Sequence, residues 1–219
     1  MNTTTPGGPP SGSLTATPTS SCSRGLDSSE ITQSPLLSSI NLDKEDFRAA
    51  CSKFPTGITI TTVKGADGRP YGITVNSFTS VSWEPPLVLV CIDYRSQILG
   101  HLVIHRYFGI NCLSHDQQEL SIRFSQSWNE RFHDIAWYDG VTRAPLLFDV
   151  AAVLECKVVR TVRIGDHMIV VGEVVHAKSS ERTPLAYLER NYGTVVNSRS
   201  GCRPEPIISK TDSGAGLES

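Results

Sequence analysis

Between Gly72 and Ser82 the chain gathers short hydroxyl and amide side chains: Thr74, Asn76, Ser77, Thr79, Ser80 and Ser82. Such groups, with exposed backbone N–H groups, suit a phosphate or a ring edged with carbonyls, since both present acceptors. Val75, Phe78 and Val81 are interleaved and are predicted to anchor the segment to a core. A Ser/Thr-rich strand edge followed by a turn has the same composition, and that reading stays open. A second residue able to do chemistry is His167, which follows Gly165-Asp166 at the expected tip of a hairpin with apolar flanks. Taken alone it reads as a surface residue beside a turn. His101 and His105 stand four apart on a predicted helix, which is metal-ligand spacing. A metal site needs three or four convergent ligands, so the pair reads as a solvated helix face, and no metal is expected. Arg123 likewise reads as an exposed helix charge.

Several familiar chemistries lack their signature. The chain has no G-x-G-x-x-G after a strand, no G-x-x-x-x-G-K-[ST] and no G-x-S-x-G. A doubly wound dinucleotide fold, a P-loop hydrolase and a serine hydrolase elbow are therefore not expected.

The elements that must position these residues follow from periodicity. Leu87–Ile92 is a continuous apolar run behind Pro85-Pro86, as expected of a strand buried on both faces with prolines at its entry. Upstream, Asn41 or Asp43 is predicted to cap a helix with Leu42, Phe47, Ala50 and Phe54 as its apolar stripe, stopped by Pro55. Ile58–Val63 alternates Ile and Thr as a strand, and Asp67-Gly68 is a turn. Ser96 is expected to cap a helix with Leu99, Leu102 and Val103 inward. Tyr107–Leu113 reads as a buried strand and Asp116–Phe124 as a short helix. Residues 125–144 read as irregular and rich in aromatics (Trp128, Phe132, Trp137 and Tyr138), and so long a connection is usually functional or mobile. In the strand Leu146–Val158, Leu154, Cys156 and Val158 are expected inward, with Glu155 and Lys157 outward. Gly165-Asp166 turns it into Met168–Val175, and Pro184–Arg190 is predicted as a last helix opened by Thr183. Many strands, few helices and no βαβ rhythm argue for an antiparallel barrel with helices at its ends.

The totals bound the rest. The 219 residues are 39% hydrophobic and 19% charged, with net charge −2. They suit one domain over 40–196 between tails 1–39 and 197–219. The first tail, rich in Ser, Thr, Pro and Gly, cannot bury enough apolar surface to offset its ordering entropy. Without a dense Lys/Arg cluster, nucleic-acid or membrane-surface binding is not expected. Cys22, Cys51, Cys91, Cys112, Cys156 and Cys202 are scattered without a C-x-x-C pair, as in a reducing, cytoplasmic setting.

Four runs, in order, carry a resemblance: FPTGITITT, GITVNSFTSVSWEPPLVLVCID, YFGINCLSHDQQELSIRFS and GDHMIVVGEVV. Over roughly Phe47 to Tyr192 the chain resembles the short-chain flavin reductases, reductase components of two-component flavin-dependent monooxygenases. The resemblance implies the FMN-binding split-barrel fold, a mainly β, antiparallel, Greek-key split barrel with a few flanking helices. It implies flavin contacts at Pro55, Thr56 and Gly57 and at Thr74, Asn76, Ser77, Ser80 and Ser82. It sets Asp93, Arg95 and Ser96 near the flavin phosphate, and Gly165, Asp166 and His167 near the nicotinamide, with His167 as the catalytic candidate. The implied activity is hydride transfer from NADH or NADPH to FMN or FAD, by a homodimer that supplies reduced flavin to a monooxygenase. Two alternatives stand beside it: a reductase that keeps its flavin and serves another acceptor, and a flavin-binding protein without reductase activity.

Overall fold

A run of buried threonines and isoleucines forms a strand next to one edge of the main sheet. The computed structural model describes residues 42–126 and 131–196. Asn41, Trp128, Cys22, Cys202 and both expected tails lie outside them. In the unit that begins at Lys44 the chain runs α1 (Lys44–Ser52), β1 (Thr56–Gly57), β2 (Thr59–Lys64), β3 (Pro70–Val75), β4 (Thr79–Ser82) and β5 (Leu87–Asp93). It continues through α2 (Ile98–His105), β6 (Tyr107–Cys112), α3 (Gln118–Ser125), β7 (Trp137–Asp139) and β8 (Pro145–Leu147). The long strands β9 (Ala152–Ile164) and β10 (His167–Ser179) precede β11 (Leu185–Leu188) and β12 (Asn191–Thr194). Seven strands form an antiparallel sheet in the order β3-β2-β6-β9-β10-β5-β4. The fold is mainly β, as expected, and the split barrel is not strictly closed.

Alternate residues of a strand point to opposite faces, and here both faces of the central strands are covered. Val63, Val90, Ile92, Phe108, Ile110 and Cys156 fill one side with Ile98, Leu99 and Leu102 of α2. Ile60, Leu113, Phe124, Leu146, Leu147 and Val153 fill the other, beneath α3 and the β7–β8 hairpin. Thr59 to Val63 of β2 are accordingly all buried. Burial pushes the thiols of Cys112 and Cys156 up to about 11 and about 12, so both serve as small apolar fillers.

Polar ties seat the β7–β8 hairpin on the second face. Thr62 Oγ1 donates to the Pro145 carbonyl, and Leu147 N–H donates to Asn111 Oδ1 at 2.8 Å. Glu155 accepts from the N–H groups of Val141 (3.0 Å) and Thr142 (2.7 Å) and from the Thr142 hydroxyl. Glu155 thus leaves the barrel interior as expected, yet reaches no water, because the hairpin covers that face and leaves it 1% exposed.

Other expectations need correction. Pro184–Arg190 is not a helix: Leu185–Leu188 is a strand between β1 and β12. The α1 stripe and Val103 are exposed rather than inward. The residue capping α2 is Gln97, not Ser96, and it makes no side-chain cap bond. In β5, Val88, Val90 and Ile92 are buried but Leu87, Leu89 and Cys91 only partly so. The Asp67-Gly68 turn is as expected, with Gly68 at φ 78° and Gly65 N–H bonded to Arg69 O at 2.8 Å. No described helix is long and apolar enough to cross a membrane.

Candidate functional site

Strands β3 and β4 follow each other in the chain but lie at opposite edges of the sheet, so residues 76–78 cross the seam between those edges. Ser77 ties the crossing segment to β5 with a side chain: its hydroxyl donates to Cys91 O at 3.1 Å and accepts from Cys91 N–H at 2.8 Å. Thr74 Oγ1 donates to Ser121 O at 2.7 Å, and Ser121 Oγ lies 2.9 Å from the Tyr192 hydroxyl. Tyr192 packs edge-on to Tyr187 at 5.2 Å, and Tyr187 pairs with Thr56. Two of the predicted contact hydroxyls, those of Thr74 and Ser77, are therefore already used inside the fold.

The others are not. Asn76 and Ser80 are exposed and Ser82 is half-buried. Their side chains make no hydrogen bond to another described residue. Thr56 Oγ1 is buried and unpartnered among the described residues. Gly57 leaves open space where a Cβ would stand. Thr59, directly after this loop, pairs with Val75, directly before Asn76, which brings the loop beside the seam. Of the expected anchors, Val75 is buried and Phe78 partly so, but Val81 is half-exposed. Trp83, just beyond, is 94% exposed.

The second group sits where β5 meets the tip of the β9–β10 hairpin. Asp93 pairs with His167 across the ladder, and Tyr94 N–H donates to Asp166 O at 3.0 Å. Gly165 turns the hairpin at φ 57°, a region that favours glycine. Arg95 donates to Asp93 through Nε at 3.1 Å and Nη2 at 2.6 Å, and through its backbone N–H at 2.8 Å. Those bonds hold the Asp93 carboxyl far below the usual carboxylate range. The hydrogen bond to His167 Nδ1, at 2.7 Å, lowers Asp166 in the same way. That leaves the other ring nitrogen of His167 facing away from its carboxylate. Ser96 N–H donates to Asp93 O at 2.9 Å.

Both expected groups thus assemble, one along the seam and one at the hairpin tip. Cys91, which holds Ser77, lies two residues before Asp93 on β5, so a single strand links them. Pro55 and Gly57 form no hydrogen bond with the tip among the described residues. Elsewhere, His101 and His105 are half-buried rather than solvated, and His101 stacks on Tyr71 at 3.9 Å. Among the described residues no cluster of His, Cys, Asp or Glu suits a metal ion. Arg123 is only partly exposed and donates to His133 O. Sequence reasoning missed Ser121, Tyr187 and Tyr192, which brace the seam, and Tyr94 and Arg163 at the tip. Alternation in Leu185–Leu188 and Asn191–Thr194 was the available signal for the two tyrosines.

A family model described as a flavin reductase like domain matches residues 51–195. The reductase subunit of stachydrine N-demethylase from Rhizobium meliloti (strain 1021) is 37% identical over 68% of this chain and 65% of its own length. The reductase component of 4-nitrophenol 4-monooxygenase/4-nitrocatechol 2-monooxygenase from Rhodococcus opacus is 36% identical over 73% and 85%. Among solved structures, the NADH:FAD oxidoreductase of Streptomyces globisporus C-1027, in complex with NAD and FAD fragments, superposes with a TM-score of 0.65. That protein is 31% identical, with 77% of this chain and 99% of the other covered. The chain spans 65% of the first relative's length and only 49% of the length of a second Rhizobium meliloti relative.

Proposed function

The chain belongs to the flavin reductase like family, and on that premise we propose that it transfers a hydride from NADH or NADPH to FMN or FAD and passes the reduced flavin to a separate monooxygenase. The observation that carries the reading is the uncommitted polarity of the seam. Thr56 Oγ1 is buried and unpartnered and Gly57 is bare, and the side chains of Asn76, Ser80 and Ser82 are likewise unengaged among the described residues. A buried hydroxyl without a partner costs free energy unless something else meets it. A flat ring edged with carbonyls and N–H groups fits that need.

Flavin and nicotinamide supply the hydride chemistry between them, so the protein's share is binding and orientation. Thr56, Asn76, Ser80 and Ser82 hold the ring edge. The Ser77 hydroxyl acts differently, pinning the loop to β5 so that its neighbours stay in place. His167 is steadied by Asp166 and orients the nicotinamide through its other nitrogen. Pro55 stiffens the approach to Gly57, and Asp93 and Ser96 shape the turn that leads to the tip.

Large apolar side chains, among them Trp83, Val103, Ile104, Val159 and Ile164, are exposed in a single copy. We assign this exposed apolar surface to a homodimer interface. Sedimentation as a monomer at micromolar concentration would remove that assignment. The four described cysteines are free, in keeping with a cytoplasmic, reducing location.

The test of the reaction is NADH oxidation with excess FMN or FAD. Many turnovers of free flavin are expected. Reduction of a single retained equivalent, or none, overturns the proposal.

A further inference from the structure

Two arginines, Arg95 and Arg163, stand at the hairpin tip, and among the described residues only Arg95 is in an ion pair. Arg95 is forked onto Asp93 and donates to it from its backbone as well. Asp166 is taken by His167. Arg163 makes no ion pair with any described residue. Its guanidinium carbon instead lies 4.3 Å from the centre of the Tyr94 ring. Tyr94 is itself fixed through its backbone bond to Asp166. An arginine laid on an aromatic face keeps the N–H donors at its edge free. Stacking has also already removed part of the side-chain freedom that binding would otherwise cost.

We infer that Arg163, rather than Arg95, is the residue that recognises a cofactor phosphate at this tip. The inference rests on the functional reading above and moves to Arg163 a role that the resemblance set on Arg95. To meet a phosphate, Arg95 would have to release Asp93, leaving an unpaired carboxylate beside a second anion, and like charges there oppose binding. Among the described residues Arg163 has no such partner to surrender. Its guanidinium presents paired donors to phosphate oxygens while its face stays on Tyr94. The phosphate belongs either to the flavin or to the nicotinamide dinucleotide, and the same chemistry serves both.

The experiment uses the full chain and direct binding. FMN and riboflavin, which differ only by the phosphate, are titrated by fluorescence against wild type, Arg163→Ala and Arg163→Lys. NADH is titrated against the flavin-free proteins. Arg160→Ala, an exposed charge on the same strand, is the control. Arg163→Ala is expected to weaken FMN or NADH binding about tenfold, with riboflavin unchanged and Arg163→Lys intermediate. A loss confined to FMN assigns the phosphate to the flavin, and one confined to NADH assigns it to the donor; both support the inference. If Arg163→Ala binds FMN and NADH as wild type does, or Arg160→Ala loses as much, the inference is overturned. Wild type that binds no flavin at all, FAD included, overturns the functional reading and the inference with it. Equal melting temperatures establish that the variants are folded.

Discussion

The two ends of the β9–β10 hairpin handle negative charge in opposite ways. At its root, Glu155 is buried, makes no ion pair with a described residue and is satisfied by the Val141–Thr142 turn alone. The approach there is so close that a Cβ on Gly140 would lie 2.4 Å from the Glu155 carboxyl carbon. At the tip, the exposed Asp166 and the half-buried Asp93 pair with side chains one or two residues away, His167 and Arg95. Removing a buried carboxylate leaves buried donors unpaired, whereas water readily replaces an exposed pair. The root should therefore govern stability and the tip should govern binding.

The sharpest way to break that contrast is Glu155→Ala. It strands two backbone N–H groups and a hydroxyl, and should cost on the order of 3 kcal/mol. Urea denaturation measures it, and a loss under about 1 kcal/mol would mean that water reaches the root. The matching change at the tip is His167→Ala. Its expected effect is a raised KM for NADH or a hydride transfer slowed by up to about a hundredfold, with melting and flavin binding nearly unchanged. Wild-type NADH kinetics in that variant would return His167 to the role of a surface residue.

Gly172→Ala probes the middle of the hairpin, where a Cβ would stand 2.6 Å from Phe108 Cζ and 2.9 Å from Cys156 Cβ. Overpacking of this kind costs about 1–3 kcal/mol, and a neutral result would show that Phe108 has room to turn. The smallest effect concerns pH. Because the folded values of Asp93 and Asp166 are depressed, their contribution is present above the unfolded carboxylate value. It is lost only as pH falls through the lowered folded one. The carboxyl carbon shift of Asp93 should stay flat from pH 7 to about 4, near where a free aspartate is half titrated. A midpoint near 4 would show that the Arg95 fork opens in solution.

The same contrast explains what could be read from residues alone. β5 was legible because prolines bound its apolar run, and the hairpin tip because Gly165 occupies a backbone region that few other residues tolerate. The β11–β12 hairpin was not. Its turn residues, Glu189 and Arg190, take φ of 50° and 66° without the Gly, Asn or Asp that usually announces such a turn. Glu155 looked solvent-facing because nothing in its own strand reveals that β7–β8 covers that face. Within the candidate site, residue types singled out the seam and the tip. They could not show that Ser77, Thr74 and Arg95 are spent on internal bonds, since that depends on partners distant in the fold or on a rotamer.

The strand order also sets a sequence of events in time. β9 and β10 are joined by a tight turn, so their pairing can begin within microseconds of chain collapse. Pairing Thr59 with Cys112 requires a long loop to close first, and such closures slow folding. The Ser77 bonds to Cys91 span 14 residues and continue the β4–β5 register in which Thr79 faces Leu89. They can form with that hairpin, and at the edge of the sheet they should be among the first to open. Hydrogen exchange would register this as a Cys91 amide, held by one hydroxyl, that trades its proton faster than the ladder amide of Val170.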